Sequence, residues 1–243
     1  MGELDYLKGK SVLDVVLELP KFDWYMNNRQ GIAPIKTNIC TLIFVSYQQE
    51  KPRTDIDRYP PVDADSLKSL DDLSFVTVQD GRMIGLTSKV QIGEQHENRY
   101  AHLPMMDFDT HDNFSEMKEA ALLDLLKEKI REDTQLEKGV ILKSGPKRNY
   151  HFLGIGSLLS EEELVNFAGL CLLMRQLSEK KEKLGLADSR YIGHMLTPLK
   201  HLVDLDNPTG FLTQYSYTLR FATLRLTKKP KYKHPPKVIA VLD

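Results

Sequence analysis

The stretch Leu103-Pro104-Met105-Met106-Asp107-Phe108-Asp109 constrains this 243-residue chain more than any other. Alternate residues of a β-strand project to one face. A strand here therefore presents Asp107 and Asp109 together and sends Phe108 into the core on the other side. Two neighbouring carboxylates behind a buried run repel unless a cation stands between them. Hard divalent ions such as Mg²⁺ or Mn²⁺ favour such oxygen ligands. Further along comes Ser144-Gly145-Pro146-Lys147-Arg148-Asn149-Tyr150-His151-Phe152, which combines a turn, two cations and a histidine. Backbone N–H groups of a Ser144-Gly145 turn suit phosphate oxygens, and Lys147 and Arg148 add charge and directed donors. Taken singly, the acids suit a solvated strand, the cations a charged turn and His151 a packed histidine. In combination they point to a site for a metal-bound polyphosphate.

Bulk properties narrow the classes. With 41% apolar and 28% charged residues and a net charge of −1, the chain reads as a soluble globular protein and not a DNA-coating one. Its charge is uneven. Asp55, Asp57, Asp63, Asp65, Asp71 and Asp72 crowd one segment, while Arg225, Lys228, Lys229, Lys231, Lys233 and Lys237 gather near the C-terminus. That basic stretch suits either a local nucleic-acid patch or an ordinary solvated surface. Cys40 and Cys171 are far apart and in apolar surroundings, which predicts buried free thiols in a reducing compartment and no thiolate zinc site. Neither a signal pattern nor a membrane-length apolar run is present, so a cytoplasmic protein with no membrane partner is expected.

The order of elements predicts an α+β fold. A helix is expected from Leu4 to Leu19, ending at Pro20, and a buried strand from Asn38 to Tyr47. Gln48 to Asp72 reads as a loop with a short helix. Asp80-Gly81 predicts a hairpin between Leu73–Val78 and Arg82–Ser88, and an extended run follows into the Asp107 strand. Asn113 and Glu116 form a capping-box pattern before a helix whose buried face carries Leu122, Leu123, Leu126 and Ile130. Ser160 and Glu163 repeat that pattern before Leu164, Phe167, Cys171 and Met174. Gly139–Lys143, Asn149–Leu153, Tyr217–Leu226 and Lys237–Leu242 complete the expected strands.

These residues resemble the first two motifs of the archaeo-eukaryotic primase superfamily. Its members carry an apolar strand ending in DxD, here Asp107-Phe108-Asp109, and a later strand with a small residue, any residue and histidine, here Asn149-Tyr150-His151. The Ser144-Gly145 turn with its two cations is similar to the family's SGRRGYH-type turn, with one extra residue. The third motif, an acid followed by a Leu-Arg segment, is best matched by Asp188 with Leu219-Arg220, and Asp204 and Asp206 compete for the acid's place.

The resemblance implies an RRM-like primase catalytic core over residues 73–243, with residues 1–72 as an N-terminal α/β part of the same unit. It implies a template-directed nucleotidyltransferase that uses nucleoside triphosphates, a single-stranded DNA template and two Mg²⁺ or Mn²⁺ ions held by Asp107, Asp109 and Asp188. Ser144, Gly145, Lys147, Arg148, His151, Arg190 and Arg220 would contact the nucleotide. A core with no helicase or zinc module suggests a helicase or another replication or defence protein as partner. Two other readings remain open: an inactive nucleotide- or nucleic-acid-binding module of the same fold, and a metal-dependent phosphoesterase.

Overall fold

The computed structural model describes residues 2–26, 33–48, 56–69, 71–73, 82–93, 99–110, 114, 117–143, 145, 147–177, 183–196, 221–227 and 234–243. The first helix, α1 (Val12–Glu18), is shorter than the sequence suggests. Gly9 adopts φ +83°, a left-handed conformation that breaks the run after a 3₁₀ turn at Asp5–Leu7. Ser11 then starts the helix through a capping box with Asp14, which the apolar periodicity alone does not reveal.

Short strands β1 (Trp24–Met26) and β2 (Ile35–Thr37) lead into the long β3 (Ile39–Gln48), followed by β4 (Ile56–Arg58) and β5 (Val62–Asp63). Strand β6 (Arg82–Ile92) is one continuous element. The expected hairpin turn before it lies outside the described residues. Strands β7 (Arg99–His102) and β8 (Met105–Asp109) are separated at Leu103-Pro104. Helix α2 (Glu119–Thr134) precedes the pair β9 (Gly139–Lys143) and β10 (Asn149–Gly154). The chain continues through β11 (Ser157–Leu158), α3 (Glu161–Leu173), β12 (Arg175–Leu177), β13 (Lys183–Gly185) and α4 (Ser189–Leu196). It closes with β14 (Thr223–Arg225) and β15 (Lys237–Leu242). This is a mixed α+β fold.

Two antiparallel sheets dominate. The larger has the order β14-β6-β3-β4, with β5 also on β3 and β7 also on β6. The smaller has the order β15-β9-β10-β8. Strand β1 pairs in parallel with β11 and antiparallel with β2. The sheets are joined by backbone: Leu103 N–H donates to the Ser88 carbonyl, and His102 and Leu159 exchange two bonds at 2.7 and 2.8 Å.

Helix α2 buries Leu122, Leu126 and Ile130, as its spacing predicts, with Leu123 partly buried beside them. Its start differs from expectation. Asn113 and Glu116 lie outside the described residues, and the helix begins at Glu119, after Lys118, which supplies no side-chain cap. Helix α3 does open on the Ser160–Glu163 capping box and buries Leu164, Phe167, Ala168 and Cys171. Burial pushes the Cys171 thiol up. Cys40 is only partly buried, contrary to expectation, and its thiol donates to the Gly93 carbonyl.

Central strand β9 is buried from Gly139 to Leu142. A Cβ at Gly139 would lie 2.5 Å from Phe152 Cε2 and 2.7 Å from the Leu153 carbonyl oxygen. Overpacking of this kind costs about 1–3 kcal/mol. Gly169, inside α3, has nothing beyond its own helix backbone and chain neighbours within 4 Å of such a Cβ, and alanine is favoured over glycine in a helix interior by about 1 kcal/mol. In chemical denaturation, Gly139→Ala should therefore lower the midpoint and Gly169→Ala should raise it. Equal midpoints would show that β9 and β10 are not packed as described.

Glu119 latches α2 to the smaller sheet. Its Oε1 accepts from Lys143 Nζ at 2.5 Å and from the Tyr150 hydroxyl at 2.9 Å. The Lys143 hydrogen bond, more than the Tyr150 one, holds its carboxyl below the usual range, while burial and Glu119 itself push the Tyr150 phenol up. A carboxyl lowered on folding contributes stability above its unfolded pKa, near 4.5, and loses it as pH falls through the folded value. Glu119→Gln should flatten the acid limb of a stability–pH profile below about pH 4.5. An unchanged slope there would exclude the latch.

Candidate active site

Strand alternation and register together build the site. Met106 and Phe108 of β8 and Tyr150 and Phe152 of β10 are buried, while Asp107, Asp109, Asn149 and His151 are only partly so. In the antiparallel pair, Asp107 stands opposite His151 and Asp109 opposite Asn149. Directly opposed residues project from one face, so all four share a face. Tyr150 points the other way, to the latch on α2.

Asp188 arrives from another part of the chain. Residues 186–188 run beside β8: Asp109 N–H donates to the Leu186 carbonyl at 3.2 Å, Asp188 N–H to the Asp107 carbonyl at 2.8 Å, and Phe108 bridges to Ala187. The Asp188 side chain sits at the start of α4, where its Oδ1 accepts from the backbone N–H groups of Arg190 at 2.8 Å and Tyr191 at 3.4 Å. These are the donors a helix leaves unsatisfied at its first turn. Arg190 closes the group. Its Nη2 lies 3.1 Å from Asp188 Oδ2 and 3.4 Å from Asp109 Oδ2.

His151 Nδ1 lies 2.9 Å from Asp107 Oδ1, within ion-pair distance. That contact lacks hydrogen-bond alignment, so among the described residues the buried Asp107 Oδ1 has no hydrogen-bond donor, and the buried Asn149 Oδ1 has none either. A buried acceptor without a donor is costly. The donor set of three carboxylates is chemically that of a hard divalent cation, and the orphaned Asp107 oxygen fits one. Among the described residues, however, no three His, Cys, Asp or Glu side chains converge as a metal cage. The Arg190 guanidinium takes up two of the carboxylates instead.

The larger sheet and α4 supply residues that sequence reasoning missed. Burial, reinforced by the Asp107 charge, pushes the Tyr191 phenol up, and its O–H donates to the Thr223 carbonyl on β14 at 3.3 Å. Burial also pushes Tyr47 on β3 up to about 12, with Asp107 adding to the shift and Arg225 opposing it. Arg225 is 4% exposed and stands opposite Gly85 in the β14–β6 pairing. It belongs to Leu224-Arg225, a second Leu-Arg pair shortly after Leu219-Arg220. Repetition of that pair was the available signal.

The other expected residues are distributed differently. Gly145 is partly buried and Lys147 exposed beside the β9–β10 turn. Arg148 is held away from the carboxylates, its Nη1 donating to the Phe114 and Met117 carbonyls at 2.5 Å each, on the α2 side of the sheet. Ser144, Arg220, Asp204 and Asp206 lie outside the described residues.

A family profile described as "Archaeo-eukaryotic primase 1D-like" matches residues 66–198, more than half of the chain, and this span includes β8, β10 and Asp188. No curated protein and no solved structure shows a significant match. The profile covers the strand pair and the segment that assembles the carboxylates, and the chain belongs to the archaeo-eukaryotic primase-like family.

Proposed function

We propose that the protein is a template-directed nucleotidyltransferase of the DNA primase or primase-polymerase type, built on an RRM-like core with residues 1–72 as part of the same unit. Family membership supports nucleotidyl transfer with nucleotide and DNA binding at the superfamily level. The observation that carries the finer reading is the meeting of Asp107, Asp109, His151 and Asp188, drawn from three segments onto one side of β8.

In this reading Asp107, Asp109 and Asp188 hold the divalent ions, Mg²⁺ or Mn²⁺. When bound, those ions would activate an attacking 3′-hydroxyl and offset charge on the leaving pyrophosphate. His151 donates to a phosphate oxygen of the incoming nucleoside triphosphate while its Nδ1 stays beside Asp107. Lys147, exposed at the turn, supplies charge to the same phosphates, with Ser144 and Gly145 offering backbone donors. Arg148 serves this arrangement indirectly, by fastening the approach to α2. Arg220 and the lysines of the basic C-terminal stretch, but not the buried Arg225, would meet the single-stranded template through its phosphates, in a strongly salt-dependent way. A helicase or another replication or defence protein would load that template. The protein's place of action in this reading is the cytoplasm. Among the described residues no helix is long and apolar enough to cross a membrane. A binding module without catalysis is the second reading. It is favoured by the lack of three converging metal donors among the described residues.

The deciding experiment is Mg²⁺- or Mn²⁺-dependent incorporation of labelled NTPs and dNTPs on primed and unprimed single-stranded DNA. Wild type should give template-dependent products, and Asp107→Ala, Asp109→Ala and Asp188→Asn should each lose more than the roughly 10–100-fold typical of residues that only support metal ligands. Their folds, checked by circular dichroism, should persist. Products that survive the Asp107→Ala/Asp109→Ala double change would sink the assignment. Nucleotide binding without products would favour the binding module, and release of nucleoside monophosphate without strand growth would indicate a phosphoesterase.

A further inference from the structure

Arg190 occupies the place where the carboxylates need a cation. Its Nη2 reaches both Asp109 Oδ2 and Asp188 Oδ2, at 3.4 and 3.1 Å, and its Nε adds a contact to Asp188 Oδ1 at 3.2 Å. Arginine's planar fork suits such two-point engagement of a carboxylate. The backbone N–H of Arg190 is separately anchored on Asp188 Oδ1 at 2.8 Å. Its guanidinium can therefore leave while the main chain stays in place.

Exposure decides how firmly it is held. The Arg190 side chain is 75% exposed, that of Asp109 42% and that of Asp188 17%. An ion pair with so accessible a guanidinium as Arg190–Asp109 contributes only about 0–1 kcal/mol. A divalent ion competing for the same oxygens carries twice the charge and binds them directly. Asp107 is placed differently: its Oδ1 has His151 Nδ1 at 2.9 Å, and among the described residues it receives no aligned hydrogen bond, from Arg190 or any other donor. The guanidinium thus offsets Asp109 and Asp188, whose side chains are 42% and 17% exposed, and leaves the carboxylate of Asp107 to His151 and an incoming cation.

We propose that Arg190 is an exchangeable internal counter-ion. It pairs with Asp109 and Asp188 in the metal-free protein, competes with a divalent ion for them, and moves to the triphosphate when metal and nucleotide enter together. The inference rests on the reading of Asp107, Asp109 and Asp188 as metal ligands. It also accounts for the side chains standing around a guanidinium and not around a metal point.

The test measures Mn²⁺ binding directly, by electron paramagnetic resonance of the free ion, with and without ATP. Wild type, Arg190→Gln, Arg190→Lys and Asp109→Asn would be compared after circular dichroism shows each to be folded. Without nucleotide, Arg190→Gln should bind Mn²⁺ about fivefold more tightly than wild type, the factor that corresponds to an ion pair of about 1 kcal/mol. With ATP the order should reverse, and Arg190→Lys should fall between the two. If wild type binds Mn²⁺ through Asp109 but Arg190→Gln binds no more tightly, the counter-ion role is overturned and the metal site stands. If neither wild type nor any variant binds Mn²⁺, both readings fall. Binding by Arg190→Gln where wild type shows none would support the counter-ion role in its strongest form.

Discussion

Five residues of β8 pair directly with five of β10, from Met105 opposite Leu153 to Asp109 opposite Asn149. This register decides which side chains share a face. A slip of β8 by one residue against β10 would turn Phe108 to the outside and carry both aspartates into the core beside Tyr150. The buried partners make such a slip expensive. Phe108, Tyr150 and Phe152 are each no more than 1% exposed, and Gly139 and Gly154 let Phe152 and Pro104 approach more closely than any side chain would permit. The chemistry on one side of the sheet is therefore held in place by the packing on the other.

Electrostatics then shapes the polar side. Three carboxylates lie near one strand, with His151 beside Asp107 and the Arg190 guanidinium balancing Asp109 and Asp188. The phenols of Tyr47 and Tyr191 lie close enough to feel the Asp107 charge. Burial is the larger cause of the rise of both phenols, and the Asp107 charge adds to it. Tyr191 further ties α4 to β14 through the Thr223 carbonyl, which links the helix carrying Asp188 and Arg190 to the larger sheet.

Much of this could be read in advance because it is local. The two-residue alternation of Met105–Asp109, the buried face of α2 and the Ser160 cap of α3 all depend on neighbours within a few positions. What escaped the sequence depends on contacts between distant segments. Nothing in Leu186-Ala187-Asp188 announces that its backbone will lie beside β8. Arg148 looks like a phosphate ligand in a basic turn, yet its parity with Tyr150 along the chain sends it to the α2 side. Tyr47 feels the charges of both Asp107 and Arg225 because distant strands come together, which no periodicity encodes. Gly9 interrupts the first helix through a backbone angle that its apolar pattern does not register.

The position of residues 186–188 has a second consequence. Strand β8 ends the order of the smaller sheet, and a bare terminal strand offers unpaired backbone groups to which another chain can add. Here the Asp107 carbonyl and the Asp109 N–H are already taken by Asp188 and Leu186. The short segment that delivers an acidic side chain also works as a selvedge, occupying the backbone groups at Asp107 and Asp109 that a foreign strand would need.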